Sequence, residues 1–293
     1  MRAYLACMTQ KQILGLHPSH RDDIADLVTR RPIPGPRVQQ IDPFLFLNHH
    51  GPQVYPPNNR GLPFGPHPHR GFETVTFILE GELMHADSGG HQSVIGPGGV
   101  QWMTAGSGLV HAELSPDGFK REGGPLEILQ LWVNLPSRLK MTRPCYQGLQ
   151  GDAFPEVIVS GGKAKVTLVS GSWGGATGPI ESITGNFMSV ITAQAGAQLA
   201  FDGLAGRNVF LYVVSGRVRI NSADVAEHHL VEFDSAGDAL ALEATSDARL
   251  LFGHGEPINE PVVSYGPFVM NTADEIRNAI ADYQAGKMGE VPV

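Results

Sequence analysis

Two short runs of the sequence pair metal-binding side chains at a spacing of two residues. His67 and His69 form the first pair, and His111 and Glu113 form the second. Alternate residues of a strand project from the same face, so each run can aim two ligands at one point. Imidazole with carboxylate suits Fe, Mn, Zn, Cu or Ni, and the absence of a nearby cysteine argues against a thiolate site. The two runs therefore predict a four-ligand metal site built on two strands.

Glu73 is a further acidic candidate in the same region. It has the same parity as His67 and His69 and joins their face if the strand runs straight, although Gly71 can bend it. We therefore expect Glu73 to be either a metal ligand or a base beside the metal. For the other histidines, His85 among them, we see no matching pair and expect surface positions or places beside the ligands.

The elements that must position these residues are predicted to be short strands. Segments rich in Val, Ile, Thr and Phe alternate with glycine clusters between residues 69 and 114, and a similar series runs from 157 to 253. Gly81 and Gly216 close a strand at corresponding places in the two series. Such spacing predicts an all-β fold, and the similar order of strands and glycines in the two halves predicts a duplicated β-barrel.

One convincing helix is predicted, at the end of the chain. Thr272 and Glu275 fit a capping box, because the hydroxyl and the carboxylate can satisfy the first free amides of a helix reciprocally. Apolar residues follow at helical spacing, and Gly286 is placed to end the helix. We expect this helix to pack on a barrel surface in a structural role.

Composition excludes several classes of protein. The chain has 21 Lys and Arg against 29 Asp and Glu, a net charge of -8, which disfavours direct binding of nucleic acid. Its two cysteines, Cys7 and Cys145, make no disulfide framework and suit a reducing compartment. The apolar residues 3–8 are too few for a signal peptide, and no later apolar run reaches membrane-spanning length. We expect a cytoplasmic protein that does not associate with a membrane.

Five longer motifs resemble the pirin family of the cupin superfamily. They are His-Pro-His-Arg-Gly-Phe-Glu-Thr-Val at 67–75, Gln-Trp-Met-Thr-Ala-Gly at 101–106, His-Ala-Glu at 111–113, Leu-Gln-Leu-Trp-Val-Asn at 129–134 and Gly-Pro-Phe-Val-Met-Asn-Thr at 266–272. The resemblance runs from about residue 31 to 286. It implies a bicupin, in which two β-barrels share one descent and the N-terminal barrel holds a single iron.

The resemblance also implies roles for individual residues. The metal ligands of the family fall on His67, His69, His111 and Glu113, and Glu73 is then expected to stand near the metal without binding it. Gln130 is expected to line the site. The second barrel is expected to hold no metal, because it has no histidine between residues 195 and 216, where another His-x-His would stand.

Four consecutive segments are predicted on this basis. They are an N-terminal extension at 1–30, a metal-binding cupin barrel at 31–140, a cupin barrel without a metal site at 141–270, and the C-terminal helix and tail at 271–293. Nothing in the pattern requires association, so we expect a monomer.

The activity implied by the resemblance is that of quercetin 2,3-dioxygenase, with Fe(II) as the expected metal and Zn, Mn, Ni, Cu or Co as alternatives. A flavonol would bind the metal through its 3-hydroxyl and 4-carbonyl oxygens, lose a proton, and react with O2 so that the central ring opens and carbon monoxide leaves. Glu113 or Glu73 would accept the proton. Gln130, Phe64 and Trp102 are candidates for the substrate pocket.

Two alternatives remain open at this point. The first is a regulatory protein without catalysis, whose affinity for a protein partner depends on the oxidation state of its iron. The second is another cupin chemistry, such as an isomerase that uses Zn(II) or Mn(II), which the ligand set alone does not exclude.

Overall fold

The computed structural model describes residues 9–291 and consists mostly of antiparallel β-strands. Predictions that concern residues 1–8, Cys7 among them, lie outside the described residues, as do the last two residues. The predicted all-β fold with a C-terminal helix is confirmed. In the described part of the chain, no helix has both the length and the apolar character needed to cross a membrane.

The first half of the chain contains twelve strands and one short helix. In chain order they are β1 Ile13–Pro18, β2 His20–Arg21, β3 Thr29–Ile33, β4 Phe44–Tyr55, β5 Phe64–His69, β6 Phe72–Glu80, β7 Leu83–Asp87, β8 Gln92–Ile95, β9 Val100–Thr104, β10 Leu109–Leu114, α1 Asp117–Glu122, β11 Gly124–Asn134 and β12 Cys145–Leu149.

The second half contains fourteen further strands and the longer helix. They are β13 Glu156–Val159, β14 Ala164–Ser170, β15 Ser172–Trp173, β16 Ala176–Thr177, β17 Phe187–Ala193, β18 Gln198–Phe201, β19 Asn208–Ser215, β20 Arg217–Ile220, β21 Ala223–Ala226, β22 His229–Phe233, β23 Leu240–Ala244, β24 Ala248–Gly255, β25 Val263–Tyr265, β26 Phe268–Met270 and α2 Ala273–Gln284.

The chain forms two compact units, and each is discontinuous in sequence. We call them barrel N, with residues 21–30, 44–153 and 258–293, and barrel C, with residues up to 20, 31–43 and 154–257. This division differs from the four consecutive segments expected above. The reason lies in strand pairing, since β1 joins barrel C by pairing with β22, whereas β25, β26 and α2 belong to barrel N.

Barrel N is built from two antiparallel sheets. In the first, the strands of this unit run in the order β12-β9-β6-β11-β4, and the second has the order β5-β10-β7-β8. Alternation along the strands buries an apolar core that includes Ile78, Leu83, Ile95, Leu126 and Ile128. The four-stranded sheet carries the predicted metal-binding residues in its first two strands, β5 and β10.

Barrel C repeats this arrangement. Its larger sheet has the order β1-β22-β19-β24-β17-β14-β13, and its smaller sheet has the order β18-β23-β20-β21. Apolar side chains fill its core, among them Val166, Leu211, Val231, Leu242 and Phe252. The same pairing of a larger with a four-stranded sheet confirms the predicted duplication.

The C-terminal helix begins as the sequence predicts. Thr272 accepts a hydrogen bond from the backbone nitrogen of Glu275, and Glu275 Oε2 accepts one from the backbone nitrogen of Thr272 at 2.8 Å. Ile276 and Ala279 are buried on the inner face of α2, in one apolar cluster with Val110 of β10. The helix packs on β25 and β26 and shares its apolar cluster with the strand that bears His111 and Glu113.

Candidate metal site

Strands β5 and β10 lie side by side and carry the predicted histidines. Their register pairs His67 with His111, and His69 stands two residues further along the same strand as His67. One ring nitrogen from each of the three residues lies within 4.8 Å of the others. Nε2 of His67 and Nε2 of His111 are 3.0 Å apart. The structure therefore brings the three histidines to one point.

Backbone carbonyl groups orient two of the three rings. His67 Nδ1 donates to the carbonyl oxygen of Gly65 at 2.8 Å, and His69 Nδ1 donates to that of Pro267 at 3.1 Å. A carbonyl oxygen only accepts, so each neutral ring carries its proton on Nδ1 and presents a lone pair at Nε2. The ring of His111 differs, because its buried Nδ1 has no hydrogen-bond partner among the described residues.

Burial favours the neutral form of two of these rings, His69 and His111. Burial lowers the pKa of His69 to about 3, and the neighbouring His67 contributes less. Burial, and then the histidines around it, holds the pKa of His111 well below its ordinary value. Without a cation, Nε2 of His111 can donate a hydrogen bond to the lone pair of His67 Nε2 across 3.0 Å, and a bound metal would replace that proton. Three imidazole nitrogens are donors for Fe, Zn, Cu and Ni alike, so the residues fit a divalent transition metal.

Glu113 lies on the same face of β10 as His111. Its Oε2 accepts a hydrogen bond from Gln130 Nε2 at 2.6 Å, and its Oε1 accepts one from Thr76 Oγ1 at 3.0 Å. The structure thus brings Gln130 and Glu113 together, and the contact of Gln130 with a bound ligand stays a prediction. The carboxylate is not one of the groups in the cluster of three histidines, so its role as a fourth ligand stays a prediction.

Glu73 lies on the opposite face of its sheet from the histidines. It pairs with Thr104, whose Oγ1 donates to Glu73 Oε1 at 2.7 Å, whereas Thr76 of the same strand points to Glu113. The cause is Gly71, which has φ of +88° and lies between β5 and β6, so the alternation restarts at Phe72. The expectation that Glu73 is a ligand or a base beside the metal is therefore corrected.

Trp102 lies on the same face of the sheet as Glu73. It pairs with Val75, which shares a face with Glu73, and its side chain is fully buried in the sheet. A pocket role for Trp102 is not supported by this position. Phe64 is closer to the site, because it is the cross-strand neighbour of Glu113 and is half-buried.

Two aromatic side chains form a wall beside His69. Phe46 and Trp132 stack with ring centroids 4.7 Å apart, and the ring of Trp132 lies 5.4 Å from that of His69. Both are only partly buried. They offer flat apolar surface close to the cluster of histidines.

His85 lies beside His111, which is one of the two positions expected for it, but its pairing with Asp87 was not predicted. The ring of His85 lies 5.5 Å from that of His111, donates from Nε2 to Asp87 at 3.0 Å, and stacks on Tyr146 at 4.0 Å. The signal was available, because His85 and Asp87 have the same two-residue spacing as the ligand pairs. His85 is fully buried beside the predicted ligands and is not a surface residue.

A matched pair of substitutions tests these two glutamates. We expect Glu113→Gln to weaken metal binding by about 10-fold or more, because it removes a negative charge beside the three histidines. Glu73→Gln should leave metal affinity unchanged, because this side chain lies on the far face of its sheet, beside Thr104. Competition with a chromophoric chelator measures both affinities. A larger loss in Glu73→Gln than in Glu113→Gln would contradict the assignment.

Two models of one protein family match this chain. The pirin family model matches residues 26–133, and the model of the pirin C-terminal cupin domain matches residues 188–289. A Pseudomonas aeruginosa protein provisionally named quercetin 2,3-dioxygenase is 41% identical over 251 residues, which cover 85% of this chain and 87% of that protein.

Solved structures extend the comparison. The crystal structure of quercetin 2,3-dioxygenase from Acinetobacter baumannii matches with a TM-score of 0.91 and 33% identity, over 96% of this chain and 99% of that one. A bacterial pirin from Escherichia coli, in complex with nickel(II), matches with a TM-score of 0.65 over 83% of this chain and 99% of that one. At 22% identity, the second match shows the shared fold alone.

Two barrels of cupin type, one of them with three converging histidines, define a bicupin with a site that could hold a metal. The two family matches and the 41% identity to the Pseudomonas protein show to which family of bicupins the chain belongs. The chain belongs to the pirin family. The resemblance seen in the five sequence motifs is thereby confirmed.

Proposed function

We propose that this protein is a metal-dependent dioxygenase of the quercetin 2,3-dioxygenase type, which cleaves flavonols with O2. The observation that carries the proposal is the convergence of three histidines on the strand pair that also bears the carboxylate of Glu113. The names of the related proteins from Pseudomonas and Acinetobacter support the same substrate class. We expect Fe(II) as the metal, held by His67, His69 and His111 with Glu113 as fourth ligand, and Zn, Mn, Ni, Cu and Co as alternatives.

The metal, when bound, would lower the pKa of the flavonol hydroxyl, as metals do for water, so that the electron-rich anion forms near neutral pH. In this proposal Glu113 receives the released proton. Gln130 Nε2 only donates and holds Oε2, whereas the Thr76 hydroxyl can reverse from donor to acceptor at Oε1. A proton on Glu113 Oε1 therefore keeps a hydrogen bond, and Gln130 keeps the carboxyl group in position.

The surroundings suit a flat aromatic substrate. Phe46 and Trp132 present stacked rings on the side of His69, and Phe64 lies on the side of Glu113. Such surfaces favour a planar polyphenol by apolar and stacking contacts. In the complete reaction one flavonol and one O2 are consumed, the central ring opens and one CO leaves.

Turnover of quercetin by protein of known metal content tests the proposal. The protein is purified without oxygen, loaded with Fe(II) or with each alternative metal, and mixed with quercetin and O2. We expect the quercetin absorbance to fall, with one O2 consumed and one CO released for each quercetin lost. The metal-free protein should show none of these changes. Absence of turnover with every metal at full occupancy would rule out this activity. It would direct attention to iron-dependent binding of a protein partner.

Two further expectations accompany the proposal. We infer a cytoplasmic location, which is supported by the small number of cysteines. We also infer a monomer, which light scattering of the purified protein measures directly.

A further inference from the structure

The backbone corner that follows His69 is held by the C-terminal segment. Arg70 pairs with Phe268 of β26, and the backbone nitrogen of Val269 donates to the carbonyl oxygen of Arg70 at 3.1 Å. Gly71 then turns the chain into β6, so close to β26 that a Cβ on Gly71 would lie 2.0 Å from the oxygen of Val269. The end of the ligand-bearing strand is thus shaped by residues about 200 positions later in the sequence.

The imidazole of His69 depends on the same segment. Its Nδ1 donates to Pro267, which immediately precedes β26, whereas the corresponding acceptor for His67 is Gly65 in its own strand. The partner of the second ring nitrogen sets the tautomer and orientation of a metal-binding histidine. His69 therefore owes its orientation to the C-terminal hairpin in a way that His67 does not.

Two buried cations tie this corner to the hairpin and to α2. Arg70 is 5% exposed and donates from Nε to the carbonyl oxygen of Ser107 at 2.7 Å and from Nη1 to Asp282 Oδ2 of α2 at 2.9 Å. A buried charge is costly unless its hydrogen bonds are made. Loss of Asp282 would leave the guanidinium beside His69 without its carboxylate, and Arg70 would have to move.

Lys140 is the second of these cations. It is 1% exposed, and its three N–H groups donate to Gly71 O at 2.8 Å, Asn134 Oδ1 at 2.7 Å and Val269 O at 3.1 Å. Burial lowers the pKa of Lys140 to about 8. One side chain thereby joins the corner after His69, the end of β11 and β26.

We propose that residues 263–284, which we call the C-terminal clasp, set the orientation of His69 in the metal site. Asp282 belongs to the clasp, and Arg70 and Lys140 are the positioning residues that join the clasp to the corner after His69. The clasp acts on metal affinity and on the hydrogen bond of one ligand, so it rests on the metal site of the proposed function but does not depend on the flavonol reaction. Outer partners of metal ligands are worth about 10- to 100-fold in affinity, which sets the size of the expected effect.

Asp282 allows a test with a matched control. Its Oδ2 accepts from Arg70, and its Oδ1 accepts from Lys287 Nζ at 2.8 Å, in an exposed pair outside the buried corner. We expect Asp282→Asn to weaken Co(II) binding by about 10-fold. Lys287→Gln should leave the affinity unchanged, because exposed ion pairs contribute little. Asp282→Glu keeps the carboxylate and should retain more affinity than Asp282→Asn.

Proton NMR of the Co(II)-loaded full-length protein separates this role from a purely structural one. The ring N–H protons of bound histidines are strongly shifted by the metal, and we expect faster exchange with solvent for the His69 N–H in Asp282→Asn. The His67 N–H should be unaffected, because its acceptor is local. Urea unfolding of each variant checks that it is folded under the conditions of the measurement.

The proposal for the clasp is overturned if Asp282→Asn loses stability while its Co(II) affinity and the solvent exchange rate of its His69 ring N–H match those of Lys287→Gln. The proposal is also overturned if Asp282→Asn speeds the solvent exchange of the His67 and His69 ring N–H protons equally. If the unmodified protein does not bind Co(II) through these histidines, the metal site fails and the clasp fails with it. Failure to turn over quercetin, by contrast, would leave the result of this test unchanged.

Discussion

Replacing His69 with alanine is expected to weaken metal binding by more than about 100-fold, because removal of a ligand must cost more than removal of the outer groups that orient it. The substitution deletes one of three imidazole nitrogen ligands and leaves the carbonyl oxygen of Pro267 without its donor. Quercetin turnover should be lost in parallel. Metal analysis after gel filtration, together with competition against a chelator, measures the effect.

An exposed histidine supplies the control for this experiment. His20 is exposed in β2, and His20→Ala should retain both metal and turnover. If His69→Ala kept its full metal content, the three histidines would not form the binding site. If His20→Ala lost metal to the same extent, the loss would reflect histidine content and not the geometry of the cluster.

Gly71→Ala is expected to destabilise the protein by about 3 kcal/mol, which combines backbone strain with overpacking. Gly71 has φ of +88°, and an added Cβ would lie 2.0 Å from the oxygen of Val269 and 2.8 Å from Met270 Sδ. Because the corner also orients His69, metal affinity should fall as well. Urea unfolding of the metal-free protein measures the free energy of unfolding.

The substitution Gly90→Ala separates the contribution of backbone strain from that of overpacking. It has φ of +90°, and an added Cβ would meet no atom within 4 Å. Gly90→Ala should therefore lose only the backbone contribution, about 1 kcal/mol. Equal losses in Gly71→Ala and Gly90→Ala would mean that the close approach to Val269 carries no energy and that the corner is not tightly held.

Much of the site could be predicted from local spacing. The two-residue period of a strand is enough to place His67 with His69 and His111 with Glu113, and pairing of the two strands then brings the histidines together. The same rule failed for Glu73, because a single glycine with positive φ ended one strand and reset the alternation of the next. The two-residue alternation predicts which face a side chain occupies only within one uninterrupted strand.

Other parts of the site had no sequence signal. The carbonyl oxygen of Pro267 orients His69, but every residue has a carbonyl group and its direction depends on the tertiary fold. The division into two units also had no local sequence signal, because β1 and the C-terminal helix each join the barrel whose main part is distant in sequence. Local patterns predict strands and turns, whereas the pairing of distant segments depends on packing that a single sequence does not reveal.

The most direct test of the account is a crystal structure of metal-loaded protein with anomalous data collected at the absorption edge of the bound metal. We expect one strong anomalous peak about 2.1 Å from Nε2 of each of His67, His69 and His111, with the rings arranged as described. A peak at other residues, or full metal content with no peak between these three rings, would contradict the central claim.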